Sequence, residues 1–322
     1  MRRRLDIQGL RAVSVLVVAL DHANVSVLAG GFIGVDVFFV LSGFLITSLL
    51  VAEAADSQGV SISGFYARRA RRILPAATLT LVATAIASSL ILNFVRAKEV
   101  FIDVISAGFF VSNFRFSHST DYFAQSQPPS PVQQFWSLSV EEQFYVVWPL
   151  LLAALVGATI IGAKRAGKQQ NLRWGRLLGG LTVVTLASFV WSVISTSADP
   201  APAYFSTFTR IWELAFGALL AIALSGKVRA PVRMPRPSPA LLGVAGWAGL
   251  AMIITAALTF SPSTVFPGYA ALLPTLGAVL IIAAGSPAEG VKWGVWGLSG
   301  LRPLGYVGDR SYALYLLSLI HI

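Results

Sequence analysis

A histidine stands in a long apolar stretch near the N-terminus, where a titratable side chain is unusual. His22 follows Arg11 by eleven residues. At about 100° per residue this interval returns to within ~20° of the starting direction, with a rise of about 16 Å, so both side chains share one face of a helix. Imidazole can accept and return a proton near neutral pH. His22 is therefore a candidate general base, and a histidine bonded to water or to a carbonyl near the lipid head groups is the alternative.

Two carboxylates are candidates to act together with this histidine. Asp36 follows a short turn at the start of the next apolar stretch, so it can approach His22 and fix the tautomer of the imidazole. The helix dipole alone also favours an aspartate near a helix N-terminus. Glu142 offers an acid or base at the outer face, close to the other two groups. A capping box formed by Ser139 and Glu142 is the structural alternative.

A run of arginines precedes the third apolar stretch. It comprises Arg68, Arg69, Arg71 and Arg72. Guanidinium groups form forked hydrogen bonds with phosphate oxygens, so the run predicts a site for a polyphosphate at the cytoplasmic face. An anchor that fixes the orientation of the helix, or contact with lipid, is the alternative.

Two other residue pairs have simpler structural interpretations. Arg210 and Glu213 are three residues apart in an apolar stretch and can form an ion pair along one helix. Gly30 and Gly34 have the GxxxG spacing that is typical of close helix packing.

The composition indicates the environment in which these groups lie. Of the 322 residues, 56% are hydrophobic and 12% are charged, against roughly 25% charged in soluble domains. So few charges could not cover a soluble protein of this size, which excludes an ordinary cytosolic enzyme and a disordered chain. The chain has no cysteine, so disulfides, thiolate metal sites and cysteine nucleophiles are excluded. No metal-binding motif has a suitable context, and no metal is expected.

The apolar stretches predict an all-α fold, a polytopic transmembrane helical bundle of about nine spans. A span needs about 20 mostly apolar residues. Suitable stretches lie near 10–28, 32–51, 73–94, 143–163, 177–195, 207–225, 239–259, 268–285 and 304–320. A tenth stretch, 99–116, is only marginally long enough and carries polar side chains, among them Glu99, Asp103, Asn113 and Arg115.

The basic residues decide whether the tenth stretch crosses. If it does not, and the N-terminus is cytoplasmic, the cytoplasmic segments hold all but four of the 24 Lys and Arg residues. If it did cross, every later loop would change sides and this bias would nearly vanish. The positive-inside rule therefore predicts nine spans and an outer loop over 95–142. It also accounts for the net charge of +10 without a nucleic-acid partner.

Four sequence motifs follow one another at spacings that fit these spans. Arg11 precedes His22, residues 34–44 read GVDVFFVLSGF, residues 65–75 read FYARRARRILP, and residues 135–145 read FWSLSVEEQFY. Each motif is weak alone, but the four in this order resemble the acyltransferase 3 family of integral membrane O-acyltransferases. Residues 309–316, DRSYALYL, also look like the penultimate helix of that family. The resemblance covers essentially the whole chain, 1–322.

The resemblance implies a function. Members of this family take an acyl group from cytoplasmic acyl-CoA, here with acetyl-CoA as the expected donor, and transfer it to a hydroxyl, often of a cell-surface or exported glycan. His22 matches the catalytic histidine, and Asp36 and Glu142 match further motif positions. Acyl-CoA is expected to contact the family's motif arginines, which correspond to Arg11, Arg69 and Arg72.

The resemblance also implies partners and a location. The expected partners are acyl-CoA, a glycan or similar hydroxyl acceptor and membrane lipid, with no nucleic acid and no bound cofactor. The expected location is the plasma membrane of a bacterium, with a cytoplasmic N-terminus. After Leu316 the family usually continues with a Trp-His-Trp-Pro-like stretch and another span, so this chain is interpreted as a truncated member without an esterase-like soluble domain.

Two other functions share the predicted architecture. A transporter or flippase would move an intact anionic or lipid-linked solute and leave no acyl product. A non-catalytic membrane scaffold would make His22 and the arginines individually dispensable. The residue types alone leave both alternatives open.

Overall fold

A computed structural model describes residues 4–23, 25–56, 60–119, 129–166, 174–225, 238–285, 294–295, 297 and 302–317. Every regular element within these residues is a helix, which confirms the all-α prediction. The helices are α1 (Leu5–His22), α2 (Gly34–Asp56), α3 (Ile62–Ile91), α4 (Phe94–Gly108), α5 (Ser112–Ser119), α6 (Phe135–Ala166), α7 (Trp174–Ala198), α8 (Pro200–Phe205), α9 (Thr207–Leu224), α10 (Pro239–Thr259), α11 (Leu272–Gly285) and α12 (Arg302–Leu317).

Five segments of the described chain are long and apolar enough to cross a membrane. They are Gly31–Ala54, Ile62–Ile91, Leu177–Ala198, Pro200–Leu224 and Pro239–Thr259, and Leu272–Gly285 is a shorter apolar helix. These five segments include the predicted spans at 32–51, 177–195 and 239–259 and most of those at 73–94 and 207–225. The total of about nine spans stays a prediction.

Helix α2 lies at the centre of the bundle. Most of its side chains are buried, and apolar residues occupy its whole circumference, as expected for a helix that other apolar helices surround. Helix α9 packs along α2, and α1, α6 and α11 cover further parts of it. Helices α3, α7 and α10 instead expose large apolar side chains such as Leu79, Val183 and Leu241. These three helices therefore have the outer surfaces that suit contact with lipid.

Two glycines allow α2 and α9 to approach within backbone contact. A Cβ atom added at Gly43 would overlap the carbonyl oxygen of Leu214, and one added at Gly217 would overlap the carbonyl oxygen of Val40. The two contacts are reciprocal, since each helix presents its glycine to the backbone of the other. Small residues at membrane helix interfaces serve this purpose.

The predicted spacing of Gly30 and Gly34 also corresponds to close packing, although on two different neighbours. Gly30 lies against the backbone of Ala256 and Ala257 in α10, and Gly34 lies against the carbonyl oxygen of Ser14 in α1. The packing interpretation of this pair is confirmed. The pair anchors the turn between the first two helices from both sides.

Two helices begin well before the predicted spans. Helix α3 begins at Ile62, where the hydroxyl of Ser61 accepts a hydrogen bond from the Gly64 amide at 3.3 Å. Helix α6 begins at Phe135. Hydropathy identifies only the apolar part of a helix, and the N-terminal parts of both helices carry charged residues that a hydropathy window excludes. The arginine run therefore lies on α3 itself.

The capping box of Ser139 and Glu142, which was the structural alternative for Glu142, is not formed, because both residues lie inside α6 and not at its start. The hydroxyl of Ser139 donates to the carbonyl oxygen of Phe135 and lies 2.9 Å from the hydroxyl of Ser112. The carboxylate of Glu142 accepts hydrogen bonds from Arg69 on α3. Tertiary contacts satisfy the groups that the sequence pattern had paired locally.

The stretch 99–116, predicted not to cross, forms parts of two short helices. Helix α4 has 15 residues and α5 has 8, whereas a span needs about 20. Asp103 on α4 forms an ion pair with Arg115 on α5. The described part of the predicted outer loop 95–142 is therefore largely helical.

Candidate active site

A cavity of about 200 Å³ opens between α1, α2, α3, α6 and α12. Its apolar walls come mainly from α2, and its polar groups come from all five helices. The polar and aromatic hydroxyl side chains that line it are Arg11, Ser42, Arg69, Arg72, Ser137, Glu141, Tyr145, Ser311, Tyr312 and Tyr315. The three arginines that were predicted to bind acyl-CoA thus line one cavity.

Arg69 is bound tightly inside this cavity wall. Its Nη2 donates to Glu142 Oε1 at 2.6 Å, and its Nε lies 3.0 and 3.1 Å from the two oxygens of the same carboxylate. The centre of the guanidinium lies 3.3 Å from the ring centroid of Tyr145, so the group is also stacked on an aromatic face. This forked pair joins α3 to α6.

Arg11 and Arg72 are in a different electrostatic situation. Arg11 enters the cavity from α1 and Arg72 from α3, and the two guanidinium groups are close enough to repel each other. Neither forms a hydrogen bond or an ion pair with any residue in the part of the chain that the structure describes. Two like charges therefore face a common space without a bonded counter-ion.

Glu141 is a cavity carboxylate that the sequence analysis did not single out. The hydroxyl of Ser42 donates to its Oε1 at 2.6 Å, which ties α6 to α2. The available signal was the spacing of Glu141 and Tyr145, which are four residues apart and therefore share a helix face. Both line the cavity, whereas Glu142 beside them faces Arg69.

Tyrosine hydroxyls from α12 complete the polar wall. The hydroxyls of Tyr315 and Ser137 lie 2.5 Å apart, and the hydroxyl of Tyr312 donates to the carbonyl oxygen of Ile73 at 3.3 Å. Helix α12 itself packs along α1, where Gly308 lies against the backbone of Gln8. The segment 309–316, which lies on α12, therefore contributes to the cavity wall.

His22 is the last residue of α1 and is partly exposed. It is not among the described residues that line the cavity. Since both residues belong to one continuous helix, His22 lies about 16 Å beyond Arg11 along the helix axis. Arg11 and His22 therefore share one helix, as their spacing predicts, but their side chains lie at different positions along its axis.

Asp36 lies in a buried cluster with Arg210 and Glu213. Arg210 Nη1 donates to Asp36 Oδ1 at 2.8 Å and to Glu213 Oε1 at 3.0 Å, and all three side chains are at most 1% exposed. The predicted pairing of Arg210 and Glu213 is confirmed. Asp36 was expected to approach His22, and its carboxylate instead bonds to α9. The predicted catalytic carboxylates Asp36 and Glu142 therefore contact different helices.

Aromatic rings surround the guanidinium of Arg210. Its centre lies 5.0 to 5.6 Å from the ring centroids of Trp136, Tyr204 and Phe266, and its Nε donates to the carbonyl oxygen of Tyr204 at 3.2 Å. The second oxygens of Asp36 and Glu213 are buried without a hydrogen-bond partner among the described residues. This cluster joins α2 to α9 through charge as well as through packing.

The comparisons of this chain with known proteins agree on one family. A family model described as an acyltransferase domain matches residues 4–322. A peptidoglycan O-acetyltransferase of Listeria monocytogenes is 34% identical over 320 residues, which cover 97% of this chain and 48% of the relative. A Bacillus subtilis protein whose name proposes the same activity is 33% identical, covering 96% of this chain and 47% of its own length.

A further relative supports the same group. A Staphylococcus aureus protein whose name proposes an O-acetyltransferase is 31% identical over 325 residues, which cover 98% of this chain and 50% of the relative. The chain thus spans about half the length of these curated relatives. No solved structure matches significantly.

Proposed function

Because the chain belongs to the acyltransferase 3 family, whose model matches residues 4–322, we propose that it transfers an acyl group from acyl-CoA to a hydroxyl of a cell-wall glycan. The cavity that gathers Arg11, Arg69 and Arg72 is the observation that carries this proposal. The names of the relatives make peptidoglycan the expected acceptor and acetyl the expected group.

The net charge of the cavity wall suits the phosphates of the donor. Arg11, Arg69 and Arg72 bring three positive charges to the cavity wall, and Glu141 and Glu142 offset two of them. The remaining positive charge favours an anionic ligand, and the guanidinium fork matches phosphate oxygens. The donor phosphates are therefore expected at the level of Arg11, with the thioester further along the bundle.

His22 acts as the general base in the proposed reaction. It removes the proton from the acceptor hydroxyl while the oxygen attacks the thioester carbonyl carbon, and the carbon–sulfur bond then breaks. The thiolate of CoA leaves and receives the proton from the imidazolium. The 16 Å between Arg11 and His22 along α1 is comparable to the length of the extended pantetheine arm that separates the phosphates of CoA from its sulfur.

Asp36 and Glu142 support this reaction as positioning residues. Asp36 holds α2 against α9 through Arg210, and Glu142 holds Arg69 on the cavity wall. Both oxygens of Glu142 accept hydrogen bonds from Arg69, so this carboxylate cannot take up a proton without weakening that pair. We place the protein in the bacterial plasma membrane with a cytoplasmic N-terminus, because five described segments are long and apolar enough to cross and the loop charges favour this orientation.

Loss of the gene is expected to remove acyl groups from the cell wall. Mass spectrometry of peptidoglycan fragments from the wild-type and deletion strains measures this directly, and a mass difference equal to one acyl group per modified sugar is the expected result. Fragments of identical mass in both strains would reject the proposed function. Accumulation of an intact solute on one side of the membrane would then favour the transporter.

Replacement of His22 with alanine is expected to reduce acyl transfer by about 100-fold or more, because general acid–base catalysis contributes roughly this much. The measurement is the rate of transfer by the full-length protein in membranes, at matched protein levels. His118→Ala is the matched control, because His118 is exposed on α5 and away from the cavity lining. Equal rates for the two variants would remove His22 from the chemistry.

A further inference from the structure

The three arginines of the cavity are not equivalent. The Nε–Nη2 edge of Arg69 is directed at Glu142, and the face of its guanidinium is stacked on Tyr145. A ligand could take this forked edge of Arg69 only by displacing a carboxylate from three hydrogen bonds of 2.6 to 3.1 Å. Arg69 is therefore better suited to hold α3 on α6 than to bind an anion.

Arg11 and Arg72 have the opposite character. They approach the cavity from α1 and α3, repel each other, and have no bonded counter-ion in the described part of the chain. Glu141 on the cavity wall offsets one of these two charges, and Arg72 is exposed, so the pair keeps one positive charge and its free guanidinium donors at the cavity. A negatively charged ligand placed between the two groups would relieve their repulsion and accept hydrogen bonds from both guanidinium groups.

We propose that Arg11 and Arg72 are the pair that contacts the ligand. Arg11 on α1 and Arg72 on α3 both bind the phosphate of a phosphate-bearing ligand, which lies between the two helices. Arg69 and Glu142 instead form an internal clamp. The proposal rests on the proposed function in naming acyl-CoA as the source of that phosphate. The head group of an anionic phospholipid offers the same chemistry. Arg69 and Arg72 thus have different roles although they belong to one sequence motif.

The first experiment measures the binding of CoA to the purified full-length protein in phospholipid-free detergent. Arg11→Gln and Arg72→Gln are each expected to weaken binding about tenfold or more, since each removes a charged hydrogen bond to phosphate. Arg71→Gln is the matched control, because it removes the same charge one residue away, from an exposed side chain that does not line the cavity. Binding by either test variant as tight as that of Arg71→Gln would overturn the proposal.

The second experiment tests the clamp. The double variant Arg69→Gln with Glu142→Gln preserves the charge balance and can keep an uncharged hydrogen bond. It is expected to melt at a lower temperature than the wild type, yet to bind CoA within about threefold of it, which is a change of at most about 0.65 kcal/mol. A folded double variant that binds CoA as weakly as Arg72→Gln would contradict the different roles proposed for Arg69 and Arg72.

The experiments distinguish a wrong donor from a wrong assignment of the two ligand-binding arginines. If the wild type binds no CoA but binds inorganic pyrophosphate, or retains phosphatidylglycerol in native mass spectrometry, and Arg11→Gln and Arg72→Gln lose that binding, the pair stands and the acyl-CoA donor is rejected. If a glutamine variant does not fold, Arg11→Lys and Arg72→Lys keep the charge without the fork. They are expected to bind CoA more weakly than the wild type, and unchanged binding would overturn the proposal.

Discussion

Replacement of Arg210 with leucine is expected to reduce the amount of folded protein sharply. The substitution would remove the one guanidinium that bonds to both Asp36 and Glu213, whose side chains are at most 1% exposed. Breaking a buried ion pair from one side costs about 3–5 kcal/mol, which is a large part of the roughly 5–15 kcal/mol that stabilises a typical protein. Fluorescence-detected gel filtration of the detergent-extracted protein measures the surviving fraction.

Two companion variants isolate the electrostatic cause of this loss. Arg68→Leu removes an arginine whose salt bridge to Glu53 is 65% exposed on the arginine side, so it is expected to have little effect. Adding Asp36→Asn and Glu213→Gln to Arg210→Leu neutralises the stranded carboxylates and is expected to restore part of the folded fraction. A monodisperse Arg210→Leu protein with the melting temperature of the wild type would contradict the argument.

Asp36→Asn alone is expected to fold. The cluster holds one guanidinium and two carboxylates, so a neutral side chain at position 36 leaves Arg210 paired with Glu213. The asparagine oxygen can still accept the hydrogen bond from Arg210. A variant as poorly folded as Arg210→Leu would indicate that the cluster needs both negative charges.

Replacement of Gly43 with alanine is the second change for which we expect a large effect. The added methyl group would overlap the carbonyl oxygen of Leu214, which is a backbone atom and cannot rotate away. Helices α2 and α9 would have to separate along the most extensive helix contact in the bundle. Overpacking of this kind typically costs 1–3 kcal/mol and can cost more. We expect a fall in melting temperature on the order of 5 °C.

The lipid-facing glycines of α7 provide the control for Gly43→Ala. A Cβ added at Gly180 meets no atom within 4 Å, and alanine favours a helix over glycine by about 1 kcal/mol. Gly180→Ala is therefore expected to melt at or slightly above the wild-type temperature. If Gly43→Ala and Gly180→Ala behaved alike, the close contact between α2 and α9 would not be important for stability.

Some features of the site were predictable because they depend on residues close together in the chain. The spacing of Arg11 and His22 predicts a common helix, and the spacing of Arg210 and Glu213 predicts an ion pair. The structure confirms both. Hydropathy likewise located the five described segments that are apolar enough to cross a membrane. These features follow from the geometry of a single helix, which is the same in every fold.

The helix ends were less predictable for a local reason. The N-terminal parts of α3 and α6 carry the arginine run and the segment Glu141, Glu142 and Gln143, which lower their hydropathy below that of a span. The capping box at Ser139 and Glu142 was the structural alternative on that pattern and is not formed, because hydrogen bonds to Ser112 and Arg69 satisfy these side chains within the helix. A sequence pattern can show that a polar group needs a partner without showing which partner it finds.

The sequence by itself determined the helical class, the family, the candidate arginines and histidine, and the local pairing on α9. Only the tertiary structure decided that Asp36 bonds to Arg210, that Glu142 bonds to Arg69, that Glu141 faces the cavity, and that Gly43 contacts the backbone of α9. These partners lie on different helices, 73 residues apart for Arg69 and Glu142 and 174 for Asp36 and Arg210. A buried charge requires a partner wherever the packing brings one, and the packing depends on how all the helices fit together.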